Sequence, residues 1–120
     1  MPTKKAAAPV VRFEIGCRDS KATAAFYREL FSWNINQFGP ANIIDKGEGG
    51  IGGHITSLGH EPHNYVNVYI KVDRIEDYLD RVEQLGGKRL VGPVVIPTGR
   101  FAWFSDPEGT QMGLLDKNPK

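Results

Sequence analysis

The chain has 120 residues, the length of one ordinary domain. Fifteen basic and fourteen acidic side chains leave a formal charge of +1, without the clustered Lys and Arg of a nucleic-acid binder. A hydrophobic content of 40% allows a real core, the single cysteine (Cys17) excludes an internal disulfide framework and a multi-cysteine metal site, and no apolar run approaches the roughly 20 residues that span a bilayer.

Residues 1–9 read as a disordered tail, with two lysines and small residues between Pro2 and Pro9. This start is basic and Ala-rich but lacks the apolar stretch of a secretory signal, so a cytoplasmic protein with no membrane partner is expected. From Val10 onward, Val11, Phe13 and Ile15 alternate with Arg12, Glu14 and Gly16, the period of a strand. Asp19 or Ser20 supplies a helix N-cap. Ala22, Ala25, Phe26, Leu30 and Trp33 then recur at helical spacing, which predicts about four turns with that stripe inward. Strand-like runs follow at 34–38 and 41–45, then a glycine cluster from Gly47 to Gly53 overlapping a strand candidate at 51–58.

A polar connector, GHEPHN at 59–64, carries His60 and His63, which read as solvated. Beyond it the order of elements begins again. Val66, Val68, Ile70 and Val72 alternate with Tyr65, Asn67, Tyr69 and Lys71. Asp73 and Glu76 stand in a D-x-x-E capping arrangement, ahead of an apolar stripe of Ile75, Leu79, Val82 and Leu85 that Gly86-Gly87 terminates. Strand runs at 88–96, 100–105 and 110–115 complete the half, the last two joined by the turn Asp106-Pro107-Glu108-Gly109. The plan is strand-helix-three strands, twice: module 1 at about 10–58, a linker at 59–64, module 2 at about 65–116, all within one domain.

Alternation also predicts which side chains share the face turned away from the helices. That set holds Arg12, Glu14 and Gly16; Gly52, His54 and Thr56; Tyr65, Asn67, Tyr69 and Lys71; and Gln111, Gly113 and Leu115. Sheets curling around these faces would enclose a polar, aromatic-lined cavity, the usual form of a small-molecule site. Arg12 reads either as a clamp for an anionic group or as half of an ion pair with Glu14. His54 and Glu14 are the candidate bases, with hydrogen-bonded packing as the alternative for the histidine. Trp103 and Tyr69 are candidate stacking residues, whereas Phe101 reads as core. Cys17 reads as a small buried hydrophobe. The glycine cluster lacks the Lys-Ser/Thr and helix start of a phosphate loop.

FYRELFSW, GGIGG, VEQLGGK and PTGRFAWFSDPEGTQMGL, within this doubled plan, resemble the vicinal oxygen chelate superfamily over about residues 10–116. That superfamily contains glyoxalase I, bleomycin-resistance proteins and extradiol dioxygenases, and the chain is most similar to its small glyoxalase-like members related to lactoylglutathione lyase. The resemblance implies an α+β fold of two βαβββ modules, forming a cup-shaped curved mixed sheet with helices outside, in a homodimer. It also implies metal-ligand slots on the first and last strands of each module. These fall at Arg12, at Asn67, at Gly113, and near Gly52 or His54. Arginine repels a cation, asparagine offers a weak neutral oxygen and glycine offers no side chain, so neither a metal nor a cofactor is expected.

Three functional readings remain open at this point. The first is a metal-free cup that binds a small anionic molecule and catalyses proton transfer or isomerisation. Glu14 and His54 are then the catalytic residues, and Arg12, Asn67, Tyr69, Gln111 and Trp103 bind the ligand. The second is pure sequestration of the bleomycin-resistance type. The third is a metal-dependent lyase or dioxygenase with a non-standard ligand set including His54 and Glu14.

Overall fold

The structure, a computed structural model, describes residues 7–58 and 64–118. Most of the expected tail and connector, including His60 and His63, lies outside the described residues. Two helices and eight strands are described: β1 (Val10–Gly16), α1 (Ser20–Phe31), β2 (Ile35–Phe38), β3 (Ala41–Ile44), β4 (Gly52–Thr56), β5 (Tyr65–Lys71), α2 (Ile75–Gln84), β6 (Lys88–Ile96), β7 (Gly99–Ser105) and β8 (Gln111–Asp116). This is an α+β fold of two βαβββ modules. No helix among the described residues is long and apolar enough to cross a membrane.

The chain divides into two compact units, Val11–Val68 and Tyr69–Lys120, the second also taking the described residues up to Val10. In the first, β1 runs parallel to β4, while β4, β3 and β2 follow antiparallel, in the order β2-β3-β4-β1. The second repeats the wiring as β5-β8-β7-β6, with residues 69–71 of β5 parallel to β8 and residues 65–68 of that strand counted in the first unit. A parallel pair needs a long crossover, and the helix with its two following strands supplies it in both units.

The core of the first unit gathers Ile15, Cys17, Ala24, Ile35, Ile44 and Ile55, with Phe13, Tyr27 and Trp33 partly buried against it. Of the two cap candidates in the sequence, Asp19 caps α1, its Oδ1 accepting the Ala22 N–H at 3.0 Å. The helix ends at Phe31, with its C-cap at Ser32 in left-handed backbone (φ 57°), so it is shorter than expected and Trp33 lies outside it. Its inward stripe also differs from the expectation. Ala24 is the buried residue, whereas Phe26 and Leu30 are exposed. Apolar side chains occupy most of this helix's circumference, so Ala24 and Tyr27 form an equally good pair at helical spacing, and packing against β3 and β4 turns these two inward while Phe31 stays exposed.

In the second unit, Val72, Ile75, Leu79, Ala102 and Leu114 make the core, with Ile70, Tyr78 and Phe104 beside it. The predicted D-x-x-E cap is not how α2 begins. Its N-cap is Arg74, with no side-chain cap hydrogen bond. The Ile75 N–H is instead accepted by Asp116 Oδ2 at 2.9 Å, across 41 residues of chain. Glu76 turns to Arg100, whose Nη1 and Nη2 donate to its two oxygens at 2.7 Å each, while Arg100 Nε and Nη2 also donate to Asp116 at 3.0 and 2.7 Å. A buried guanidinium with two bidentate carboxylates outcompetes a local cap, because unpaired charge in the interior is costlier than an unfilled helix end.

Leu79 is 0% exposed at the centre of this core. Leu79→Ala is expected to cost about 2–5 kcal/mol, from lost transfer energy plus the residual cavity. Urea denaturation with an unchanged slope and a lowered midpoint checks it.

Candidate functional site

The parallel register of β1 and β4 sets Arg12 beside Gly52, Glu14 beside His54 and Gly16 beside Thr56. Because side chains alternate, Ile15 and Ile55 enter the α1 core while Arg12, Glu14 and His54 emerge on the other face. Arg12 Nε donates to His54 Nδ1 at 3.1 Å, and Arg12 Nη2 donates to the Gly53 carbonyl at 3.3 Å. His54 Nε2 lies 3.3 Å from Glu14 Oε1. The second carboxylate oxygen, Oε2, accepts a hydrogen bond from the Tyr65 hydroxyl.

These contacts assign the protons. A guanidinium only donates, so His54 Nδ1 is the acceptor in the neutral imidazole and Nε2 carries the hydrogen that faces Glu14. Glu14 is 2% exposed and thus receives donors on both oxygens from within its own unit. The Tyr65 hydroxyl is pushed well above the usual phenol range, first by burial, then by its bond to Glu14 and that residue's charge. It therefore keeps its proton at neutral pH and acts as a donor. Its ring lies over Gly16, where an added Cβ would stand 2.0 Å from a ring carbon, so the glycine makes room for the tyrosine to reach Glu14.

The Arg12 Nε is engaged by His54, an acceptor the sequence did not pair with it. Asn67, on β5, is 2% exposed, and both Nδ2 and Oδ1 are buried without a hydrogen-bond partner among the described residues. Tyr65 was not singled out from the sequence, although alternation already placed it on this face. An open groove of about 640 Å³ also lies in this unit, lined by Ile15, Cys17, Ala22, Phe26, Tyr27 and Tyr65 among others. It is on the α1 side of β1. Of the polar series, only Tyr65 lines this groove.

The other sequence candidates belong to the second unit. Trp103 Nε1 donates to the Tyr69 hydroxyl at 2.7 Å, and Phe101 meets Tyr69 edge-on with centroids 6.4 Å apart. Phe101 also contacts Trp103 at 5.8 Å, so it joins this aromatic panel and not the α2 core for which its sequence context suited it. Parity explains the difference, because Ala102 and Phe104 take the α2 side of β7. Gly113 stands opposite both Tyr69 and Trp103, and a Cβ there would lie 2.3 Å from the Tyr69 ring. Gln111 opens β8 opposite Ser105.

The metal-ligand set implied by the resemblance does not fit these residues. Arg12 brings a fixed positive charge and occupies the Nδ1 lone pair of His54. Gly113 has no donor, and the Tyr69 ring fills the space where one would go. Among the described residues, no three His, Cys, Asp or Glu side chains come together as a metal site.

Comparison with known proteins agrees with this architecture. The anthracycline biosynthesis protein DnrV of Streptomyces peucetius is 28% identical over 88% of this chain, and the match covers 46% of that protein, so the chain spans about half the length of the curated relative it matches. Methylmalonyl-CoA epimerase from Mycobacterium tuberculosis shares the fold with a TM-score of 0.70 at 10% identity, covering 97% of this chain and 94% of its own. A glyoxalase/bleomycin resistance protein/dioxygenase superfamily member from Vibrio splendidus matches with a TM-score of 0.63 at 16% identity, covering 92% of this chain and 98% of its own. The model of the glyoxalase-like domain matches residues 11–115, nearly the whole described chain, and the chain belongs to that family.

Proposed function

We propose that this protein binds a small organic molecule on the Glu14 face of its first unit and moves a proton on it without a metal ion. The hydrogen-bonded series Arg12–His54–Glu14–Tyr65 carries this reading. A carboxylate has about four lone-pair positions, so Glu14 can hold two donors and still accept a proton from a bound carbon acid. His54 Nε2–H and Tyr65 O–H then steady the carboxylate, and Arg12 keeps the imidazole in the tautomer that faces Glu14. An anionic group on the ligand suits the Arg12 end of the series. Solved structures with this fold are named methylmalonyl-CoA epimerase, and epimerisation is the removal and return of a proton at carbon.

One observation favours a second reading, binding without turnover. Both oxygens of Glu14 already hold hydrogen bonds, as suits a settled polar wall. Deuterium incorporation separates the two. Chelator-treated protein in D2O is mixed with 2-hydroxy acids, 2-oxo acids and a methylmalonyl thioester, and NMR follows ligand binding and the α-protons. Exchange in protein shown by elemental analysis to carry no stoichiometric divalent ion is the expected result. Binding with no exchange would leave only the sequestration reading, and exchange restored only by added metal would overturn the metal-free one.

A further inference from the structure

Asn67 has no part in the Glu14 series or in the α1 core, yet it is among the most enclosed side chains of the first unit, at 2% exposed. Both polar atoms of its carboxamide are buried and without a hydrogen-bond partner among the described residues. Asparagine is depleted in strands, and a buried amide left unpaired is penalised, whereas an aliphatic side chain here would incur neither cost. Strand alternation sets Asn67 on the same side of β5 as Tyr65, whose hydroxyl reaches Glu14. The unpaired amide therefore belongs to the face that carries the candidate chemistry.

A carboxamide presents N–H donors next to a carbonyl acceptor. A carboxylate offers acceptors only, so one of its oxygens would oppose Oδ1. An ammonium group offers donors only and would oppose Nδ2. Both halves are satisfied together by a ligand edge with one donor beside one acceptor. We propose that Asn67 reads such an edge, either the N–H and C=O of a lactam-type amide or a hydroxyl adjoining a carbonyl. The inference rests on the reading of this face as a ligand site and adds the class of group that site selects.

The test follows the Asn67 side-chain NH2 resonances in a ¹⁵N-labelled protein, assigned through the backbone. The probes are 2-pyrrolidone for the amide edge, hydroxyacetone for the hydroxy-carbonyl edge and acetate as the acceptor-only control. Saturable shifts of the Asn67 pair with pyrrolidone or hydroxyacetone, and none with acetate, are expected, and whichever probe binds more tightly identifies the source. Asn67→Leu should weaken that probe by roughly tenfold or more, with a melting temperature no lower than wild type. Three results would each overturn the proposal: no probe moves the pair, acetate moves it equally, or the leucine variant folds but melts well below wild type. If that variant does not fold, the wild-type titration decides alone. Repeating the titration in Glu14→Gln separates the two ideas. Shifts that persist there while α-proton exchange is absent from every protein tested uphold Asn67 and sink the proton-transfer reading. Exchange in wild type with no shift at Asn67 does the reverse.

Discussion

Asp116→Ala is expected to cost about 3–5 kcal/mol of stability, a large share of the roughly 5–15 kcal/mol that holds a domain folded. The carboxylate accepts two hydrogen bonds from Arg100, the first N–H of α2 from Ile75 and the N–H of Asn118. Removing it leaves a buried guanidinium with Glu76 as its remaining carboxylate and uncaps the helix. The same network sets an acid dependence. Asp116 is held at about 2 against its ordinary 3.8; burial works against this, but the bonds from Arg100, Ile75 and Asn118 outweigh it. Glu76 is likewise held at about 2 against 4.5, chiefly by its hydrogen bonds from Arg100. Because both folded-state values are depressed, their stabilisation is fully present above the ordinary carboxylate range and is lost as pH falls toward 2. Wild-type melting temperature should therefore drop through that window, and Asp116→Ala should melt lower at neutral pH with a shallower acid slope. Thermal melts from pH 6 to pH 2 check both; equal slopes would show that Asp116 does not carry the acid dependence.

Glu14→Gln is expected to reduce α-proton exchange by about 10²- to 10⁴-fold, the usual contribution of a positioned general base. The amide keeps the size of the side chain and can still accept one hydrogen bond, but it cannot take up a proton at neutral pH. Circular dichroism and the melting curve should show a folded protein, which distinguishes lost chemistry from lost structure. Tyr65→Phe removes one donor but leaves the carboxylate, so its exchange rate should fall between those of Glu14→Gln and wild type. A tyrosine variant as inactive as the glutamine variant would instead make Tyr65 a partner in the proton transfer. Neither variant should alter acid stability through Asp116, which belongs to the other unit.

Much of this was legible in the sequence where the physics is local. The alternation of Val11, Phe13 and Ile15 with Arg12 and Glu14, repeated around His54, placed three members of the polar series on one face before any coordinates. The Asp19 cap and the Asp106–Gly109 turn needed only neighbours within four residues, and the structure shows both, the turn closing from Gly109 N–H to the Asp106 carbonyl at 2.9 Å. The two βαβββ modules followed from order and periodicity. The inward side of α1 did not, because apolar residues at several phases of the helix left the choice to the strands it meets.

The sequence by itself determined the doubled plan and the outward set of Arg12, Glu14 and His54. Those properties depend on residue type and on a two-residue period, which no tertiary contact changes. Only the tertiary structure decided that Arg12 bonds His54, that Tyr65 reaches Glu14 across 51 residues, and that Asp116 caps α2 across 41. A hydrogen bond needs its partners within a few tenths of an ångström, and strand register sets that distance. Likewise, the Tyr69 ring over Gly113 shows why a side chain there would have no room, where the composition showed only one more glycine.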